Sequence, residues 1–196
     1  MHPELISLCL FMFVTSCSPG PNNIVASYSG FNFGIIKTIP HMFGVIFGFT
    51  TLVTIMNFGL INIFHKYPII QEILKYTGSL FLIYLAYKIS FSKSNSEDTK
   101  KNPVKFIETF FFQFINPKSV IVSVITVSTY VDKGQDFLFY SFWVIGVAFF
   151  FAIISINFWT LVGKFLRRFA TNEKFIKRFN YVMSFLLLTC IATFYL

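Results

Sequence analysis

Charge is what this sequence has least of. Only 12% of its 196 residues are Asp, Glu, Lys or Arg, against roughly 25% in soluble domains. The eight acidic residues and three histidines are scattered, so no spacing assembles a metal-ligand set or an acid–base pair. GxSxG, HExxH and CxxC motifs are absent, and His41 is the one histidine within an apolar run. An intramembrane enzyme therefore has no visible nucleophile and base, and neither a catalytic residue, a metal nor a cofactor is expected. Cys9, Cys17 and Cys190 all lie in apolar runs; an odd, unpaired set points to free buried thiols.

What the chain does have is apolar length. It is 55% hydrophobic, with 29 phenylalanines, and its mean hydropathy is +0.69. The phenylalanines fit lipid-facing surface better than an aromatic cofactor box. Six runs are long enough to cross a bilayer core, which needs about 20 helical residues. They span 5–33, 38–64, 69–91, 106–131, 137–162 and 179–196. The longest polar stretch, 92–105, divides the chain into halves 1–91 and 106–196. Val14-Thr15-Ser16-Cys17 has the look of a lipoprotein cleavage box, but no Lys or Arg precedes it and the apolar run continues to Ala26, so a retained first span is expected.

The formal charge of +8 comes from Lys and Arg in short links between runs, a topology signal rather than a nucleic-acid footprint. The side on which runs one, three and five end carries twelve basic residues, and the opposite side carries Lys66, Lys75 and Lys133. The positive-inside rule then makes the first group cytoplasmic and puts both termini outside a multi-pass inner membrane protein. Three runs per half is an odd number, so a duplicated half has to sit inverted. The halves do echo: twenty-nine residues separate Pro19 from Gly48 and Pro117 from Gly146. The expected fold is all-α, six transmembrane helices as two three-helix inverted repeats, with helices 1 and 4 broken near the midplane.

Those breaks carry the functional signal. Cys17-Ser18-Pro19-Gly20-Pro21-Asn22-Asn23 interrupts the first run, and Asn116-Pro117-Lys118 the fourth. Proline removes an N–H and clashes with the carbonyl four residues back, which frees the carbonyls of Thr15, Cys17 and Gln113. It also suits the first position of a new helix, with Gly20 and Asn116 as N-caps. The uncovered N–H groups suit a carboxylate and the freed carbonyls an ammonium, so the pair is complementary to a zwitterion. Two matched breaks in an inverted repeat point to a transporter site. The bland reading is a pair of proline kinks patched by Ser16, Ser18, Asn22 and Asn23.

Candidate substrate-binding residues are therefore Ser18, Pro19, Gly20, Pro21, Asn22, Asn23, Asn116, Pro117 and Lys118. Lys118 falls mid-run, where a charge costs about 2.5–3.5 kcal/mol on the insertion scale, so it either faces a cavity or snorkels. It is a candidate for carboxylate binding and, with Glu108, for proton coupling. Gln113, Asn57 and Asn157 are candidate cavity-lining residues. His41, after Pro40 at the start of the second run, is expected at the interface. The GxxxG spacings Gly30/Gly34 and Gly44/Gly48 read as close helix packing, and Asp132 and Asp136 as solvated link residues.

Pro19-Gly20-Pro21 followed by Gly34, Gly44 and Gly48, together with Asn116-Pro117-Lys118, resembles the LysE/RhtB family of amino-acid exporters over essentially the whole chain. The resemblance implies a secondary transporter that exports amino acids or related metabolites from the cytoplasm, driven by the proton gradient. The phenylalanine-rich second and fourth runs, and the lack of a mid-depth carboxylate for a basic side chain, favour a neutral or small amino acid. The bilayer is the expected surrounding, nucleic acid is not a partner, and a homo-oligomer is compatible. The competing readings are a non-transporting membrane scaffold and a metal-ion exporter.

Overall fold

A computed structural model describes residues 3–67, 69–91, 104–131, 136–170, 172–192 and Tyr195. Most of the 92–105 stretch, with Asp132 and Lys133, lies outside the described residues. The described chain is helical throughout: α1 Pro3–Cys17, α2 Pro21–Ile55, a π-helical turn Met56–Leu60, α3 Ile61–Lys66, α4 Ile69–Ser90, α5 Phe106–Ile115, α6 Pro117–Tyr130, α7 Phe137–Arg167 and α8 Glu173–Ala192.

Both breaks are where the prolines require them. Gly20 (φ −148°, ψ 175°) precedes Pro21, and Asn116 (φ −81°, ψ 107°) precedes Pro117. A residue before proline is pushed out of the helical region, and proline then opens the next helix at N1. The α5–α6 pair bends by 61° across its break.

A third interruption falls inside α2. Gly34 adopts φ 78°, ψ 176°, a backbone region that favours glycine. His41 Nε2 lies 3.3 Å from Asn22 O, nineteen residues earlier. On a straight helix those residues would be about 28 Å apart. The chain therefore folds back at Gly34, giving antiparallel limbs 21–33 and 35–55, and Thr38 Oγ1 donates to Ser29 Oγ at 2.9 Å between them. Gly34 thus makes a reversal rather than the packing contact its GxxxG spacing predicts, since a Cβ there would meet nothing within 4 Å.

The other spaced glycines do pack. A Cβ on Gly30 would strike the Thr160 carbonyl of α7, and Gly44 and Gly48 lie against the Phe106 and Phe110 carbonyls of α5, each 2.7 Å from a built Cβ. Gly163 on α7 abuts the Ser27 carbonyl in the same way. α7 thus runs beside the first limb of α2, and α5 beside the second. α4 pairs with α8, where Ser184 Oγ donates to Ala86 O (3.0 Å). The turn at Gly34, the end of α4, the start of α5 and the end of α7 share one end of the bundle. Lys88 meets Glu108 there (3.9 Å) and Arg167 covers Phe31 (5.4 Å). The start of α1 meets the end of α6 at the other end, through Ser7 Oγ and Tyr130 OH (3.0 Å).

Met12, Val53, Met56, Ala148 and Ile156 are fully enclosed at the centre, while Leu138, Phe142 and Phe185 stand more than 60% exposed. An apolar surface of that extent suits lipid. By length and composition the stretches Pro21–Ile63, Phe137–Arg167 and Glu173–Ala192 can cross a membrane, and the bent α5–α6 pair is a fourth candidate. α4 falls outside that set; it is 22 residues long and carries Glu72, Lys75 and Lys88. The repeat echo is not matched in environment: Gly48 is packed on α5, whereas nothing lies within 4 Å of a Cβ on Gly146.

Candidate functional site

The two breaks meet. Between them lies a cavity of about 60 Å³ lined by Gly20, Pro21, Asn22, Asn23, Asn116 and Lys118, all anticipated from the sequence. That is several times the ~10–15 Å³ needed for one water. Thr15, Ser16, Ser119 and Ser155 add hydroxyl groups, and Val45, Phe49, Val122, Ala152 and Ile156 make the apolar wall.

The helix ends around the cavity are not equivalent. The carbonyls freed at the end of α1 were expected to stand open, and they do not. Ser18 Oγ donates to Thr15 O (2.9 Å), Trp159 Nε1 to Cys17 O (3.3 Å), and Asn23 Nδ2 and Ser155 Oγ to Ser16 O (2.7 and 2.6 Å). An unpaired carbonyl in apolar surroundings costs several kcal/mol, so the fold has covered them with side chains. Asn116 Oδ1 caps α6 by accepting from Lys118 N (3.2 Å). The start of α2 differs. Gly20 offers no side-chain cap, and the first N–H that the backbone engages is that of Ile24, on Gly20 O (2.9 Å). Its opening turn, Pro21-Asn22-Asn23, faces the cavity with the positive end of the helix dipole.

Lys118 reinforces that polarity. Its Nζ reaches from the second break to the first, donating to Ser18 O (3.0 Å) and Ser18 Oγ (2.8 Å). Its stem passes over Gly20, where a Cβ would come within 2.9 Å of the lysine Cδ and Nζ. It is the only charged residue among those lining the cavity. An acidic partner is missing from the lining, so the site carries net positive potential.

The Asn22 wall of the cavity is backed by an amide knot. Asn22 Nδ2 donates to Gln113 Oε1 (2.8 Å), and Gln113 Nε2 returns a bond to Asn22 Oδ1 (3.1 Å). Ser119 Oγ also donates to Gln113 Oε1 (3.0 Å). Gln113 is thus a partner of a lining residue rather than part of the wall. His41 joins this knot at 2% exposure, which corrects its expected interfacial place: the reversal at Gly34 folds it inward against Asn22 and Thr109. The reversal itself falls in the 34–37 link expected between runs one and two; that it lays His41 back against Asn22 carried no local signal.

Other anticipated residues lie apart. Ser18, Pro19 and Pro117 shape the breaks without lining the cavity. Glu108 sits at the start of α5, accepting from Lys105 N (3.0 Å) and meeting Lys88, not Lys118. Asn57 is buried at the π-helical turn on Ser141 Oγ (2.8 Å), and Asn157 donates to Ile153 O of its own helix (2.8 Å). Ser155 and Trp159 were missed, because a serine or tryptophan within a long apolar run carries no local signal.

A family model described as LysE type translocator matches residues 13–195. The chain is 28% identical to the cysteine/O-acetylserine efflux proteins of Salmonella choleraesuis (strain SC-B67) and Salmonella typhimurium (strain LT2), over 195 residues and 97% of each chain. The protein of the same description in Escherichia coli (strain K12) is 28% identical over 198 residues, again 97% of both chains. No solved structure matches. With a matched region that runs from within α1 to past the end of α8, taking in both breaks and the cavity they enclose, the chain belongs to the LysE type translocator family.

Proposed function

We propose that this protein exports small, neutral amino acids from the cytoplasm, with the substrate carboxylate held by the open first turn of α2 and by Lys118. The observation that carries the reading is one cavity between two broken helices, entered by an uncapped helix N-terminus and a lysine, with no acidic residue in its wall. A site of that polarity favours a carboxylate and offers nothing to a second positive charge, so lysine and arginine are poor substrates. The cysteine and O-acetylserine named for the relatives are neutral amino acids, the class that this polarity favours.

The chain in this reading crosses the inner membrane six times, as two inverted three-helix halves. α1 with the first limb of α2 is the first crossing, and α5 with α6 the fourth. The end with Lys37, Lys88, Lys105 and Arg167 faces the cytoplasm by the positive-inside rule, leaving both termini outside. A second, apolar cavity of about 140 Å³, lined by Leu8, Tyr130, Tyr140 and Trp143, lies towards the outer end and serves as the exit vestibule. Access alternates as one half moves against the other, with the proton gradient as the driving force. The metal-ion reading finds no support, because among the described residues no three His, Cys, Asp or Glu side chains come together.

The test is efflux from cells loaded with dipeptides, comparing external amino acids with and without the gene. Export of a neutral amino acid is expected. Lys118→Met and Pro21→Ala are expected to abolish it while the protein still inserts in the membrane. No difference for any amino acid would leave a scaffold as the better reading.

A further inference from the structure

His41 is buried between two elements and bonded at both ring nitrogens. Nε2 faces the Asn22 carbonyl at 3.3 Å, and Nδ1 faces Thr109 Oγ1 at 2.9 Å. A carbonyl only accepts, so Nε2 carries a hydrogen in any bonded state. Thr109 has a single hydroxyl hydrogen and two places to put it, since its Oγ1 also lies 3.1 Å from Lys105 O. With the ring neutral, that hydrogen points to Nδ1. With the ring charged, Nδ1–H donates to Oγ1, and the hydroxyl hydrogen turns to Lys105 O. The same heavy atoms, unmoved, satisfy both protonation states. A histidine kept only for packing needs one of the two.

The position is connected to the cavity through one residue. Asn22 gives His41 its carbonyl, lines the cavity, and closes the amide knot with Gln113. The ionisable side chains towards this end of the bundle are Lys37 and Tyr28 on α2, Lys88 on α4, Lys105 just before α5, Glu108 on α5, and Lys164 and Arg167 on α7, while Lys118 of α6 faces the cavity that Asn22 lines. The Glu108 carboxylate is turned to Lys88 and Lys105 N. The bonding partners of His41 are all uncharged, so a proton taken up there adds a net charge at the amide knot beside the cavity.

Resting on the transport reading above, we propose that His41 binds the proton that this carrier exchanges for its substrate. The proton adds to Nδ1, and the Thr109 O–H, its hydrogen still bonded to Oγ1, rotates to donate to Lys105 O; loss of the proton reverses both movements. The charged ring holds Asn22 O by a charge-assisted bond, about twice as strong as a neutral one. Protonation thereby tightens the amide knot and closes the cavity towards the basic end, and release of the proton to that side loosens it for the next substrate to enter.

The test uses purified protein in liposomes with labelled O-acetylserine and a trapped pH dye. A gradient of one pH unit supports about tenfold accumulation for one-to-one exchange. His41→Gln keeps a donor for Asn22 O but cannot titrate. It is expected to exchange label between equal pools, to accumulate none above equality, and to move no protons when substrate is added. Tenfold accumulation with proton movement in that variant overturns the inference and leaves the transport reading standing. Should His41→Gln fail to reach the membrane, Thr109→Val removes the acceptor for the charged ring. It is expected to move the pH midpoint of exchange down by about one unit, and an unchanged midpoint overturns the inference. Wild-type protein that moves label without protons also overturns it, whereas wild-type protein that moves no label overturns the transport reading itself.

Discussion

Replacing Gly20 by alanine separates the placement of Lys118 from the stability of the fold. The backbone at Gly20 is extended, a conformation alanine adopts freely, so no strain arises in the chain itself. The added Cβ would stand 2.9 Å from both Cδ and Nζ of Lys118, too close for either. The obstructing atoms belong to the far end of a flexible side chain, so the lysine moves and the helices stay. Nζ then loses at least one of its bonds to Ser18, now 3.0 and 2.8 Å. A hydrogen bond to a charged group is worth about 1.5–3 kcal/mol. If the displaced amine also misses the substrate carboxylate by the same margin, apparent affinity falls about 10- to 150-fold. The assay is the concentration dependence of O-acetylserine transport in liposomes, alongside thermal unfolding in detergent. A raised KM is expected, with the unfolding temperature lowered by no more than the loss of that one bond. A wild-type KM would refute the role assigned to Lys118, and a collapse in stability would show that the cavity wall is not as yielding as the geometry implies.

Gly163→Ala should do the reverse, because its Cβ runs into the Ser27 backbone, which cannot step aside; overpacking of about 1–3 kcal/mol should lower the unfolding temperature and the yield of inserted protein. Gln113→Leu strands the Asn22 amide and the Ser119 hydroxyl. Each loss is worth about 1–3 kcal/mol, so both unfolding temperature and transport should fall. Asn57→Leu removes a buried Oδ1 that has no partner among the described residues, and Ser141 keeps its bond to Phe137 O. Stability should hold or rise and transport should persist, and a loss of transport would show that Asn57 meets the substrate after all.

The breaks were legible because proline acts locally. Pro21 and Pro117 constrain the residue before them and open a helix whatever surrounds them, so the ends of α1, α2, α5 and α6 follow from the sequence. Composition in the same way determined that the chain is helical and apolar-surfaced. Most of the cavity wall was legible too, because it is built from the break residues themselves.

Only the tertiary structure decided which uncovered groups remain available. The carbonyls of Thr15, Ser16 and Cys17 are taken by side chains, two of which, Ser155 and Trp159, come from α7 about 140 residues away. It also decided that the reversal at Gly34, in the expected link between runs one and two, buries His41 against Asn22 and Thr109, and that Glu108 and Lys118 lie apart. Whether a polar group in a membrane protein is open or covered depends on what another helix brings to it. That pairing is long-range, and local sequence constrains only the group that waits to be paired.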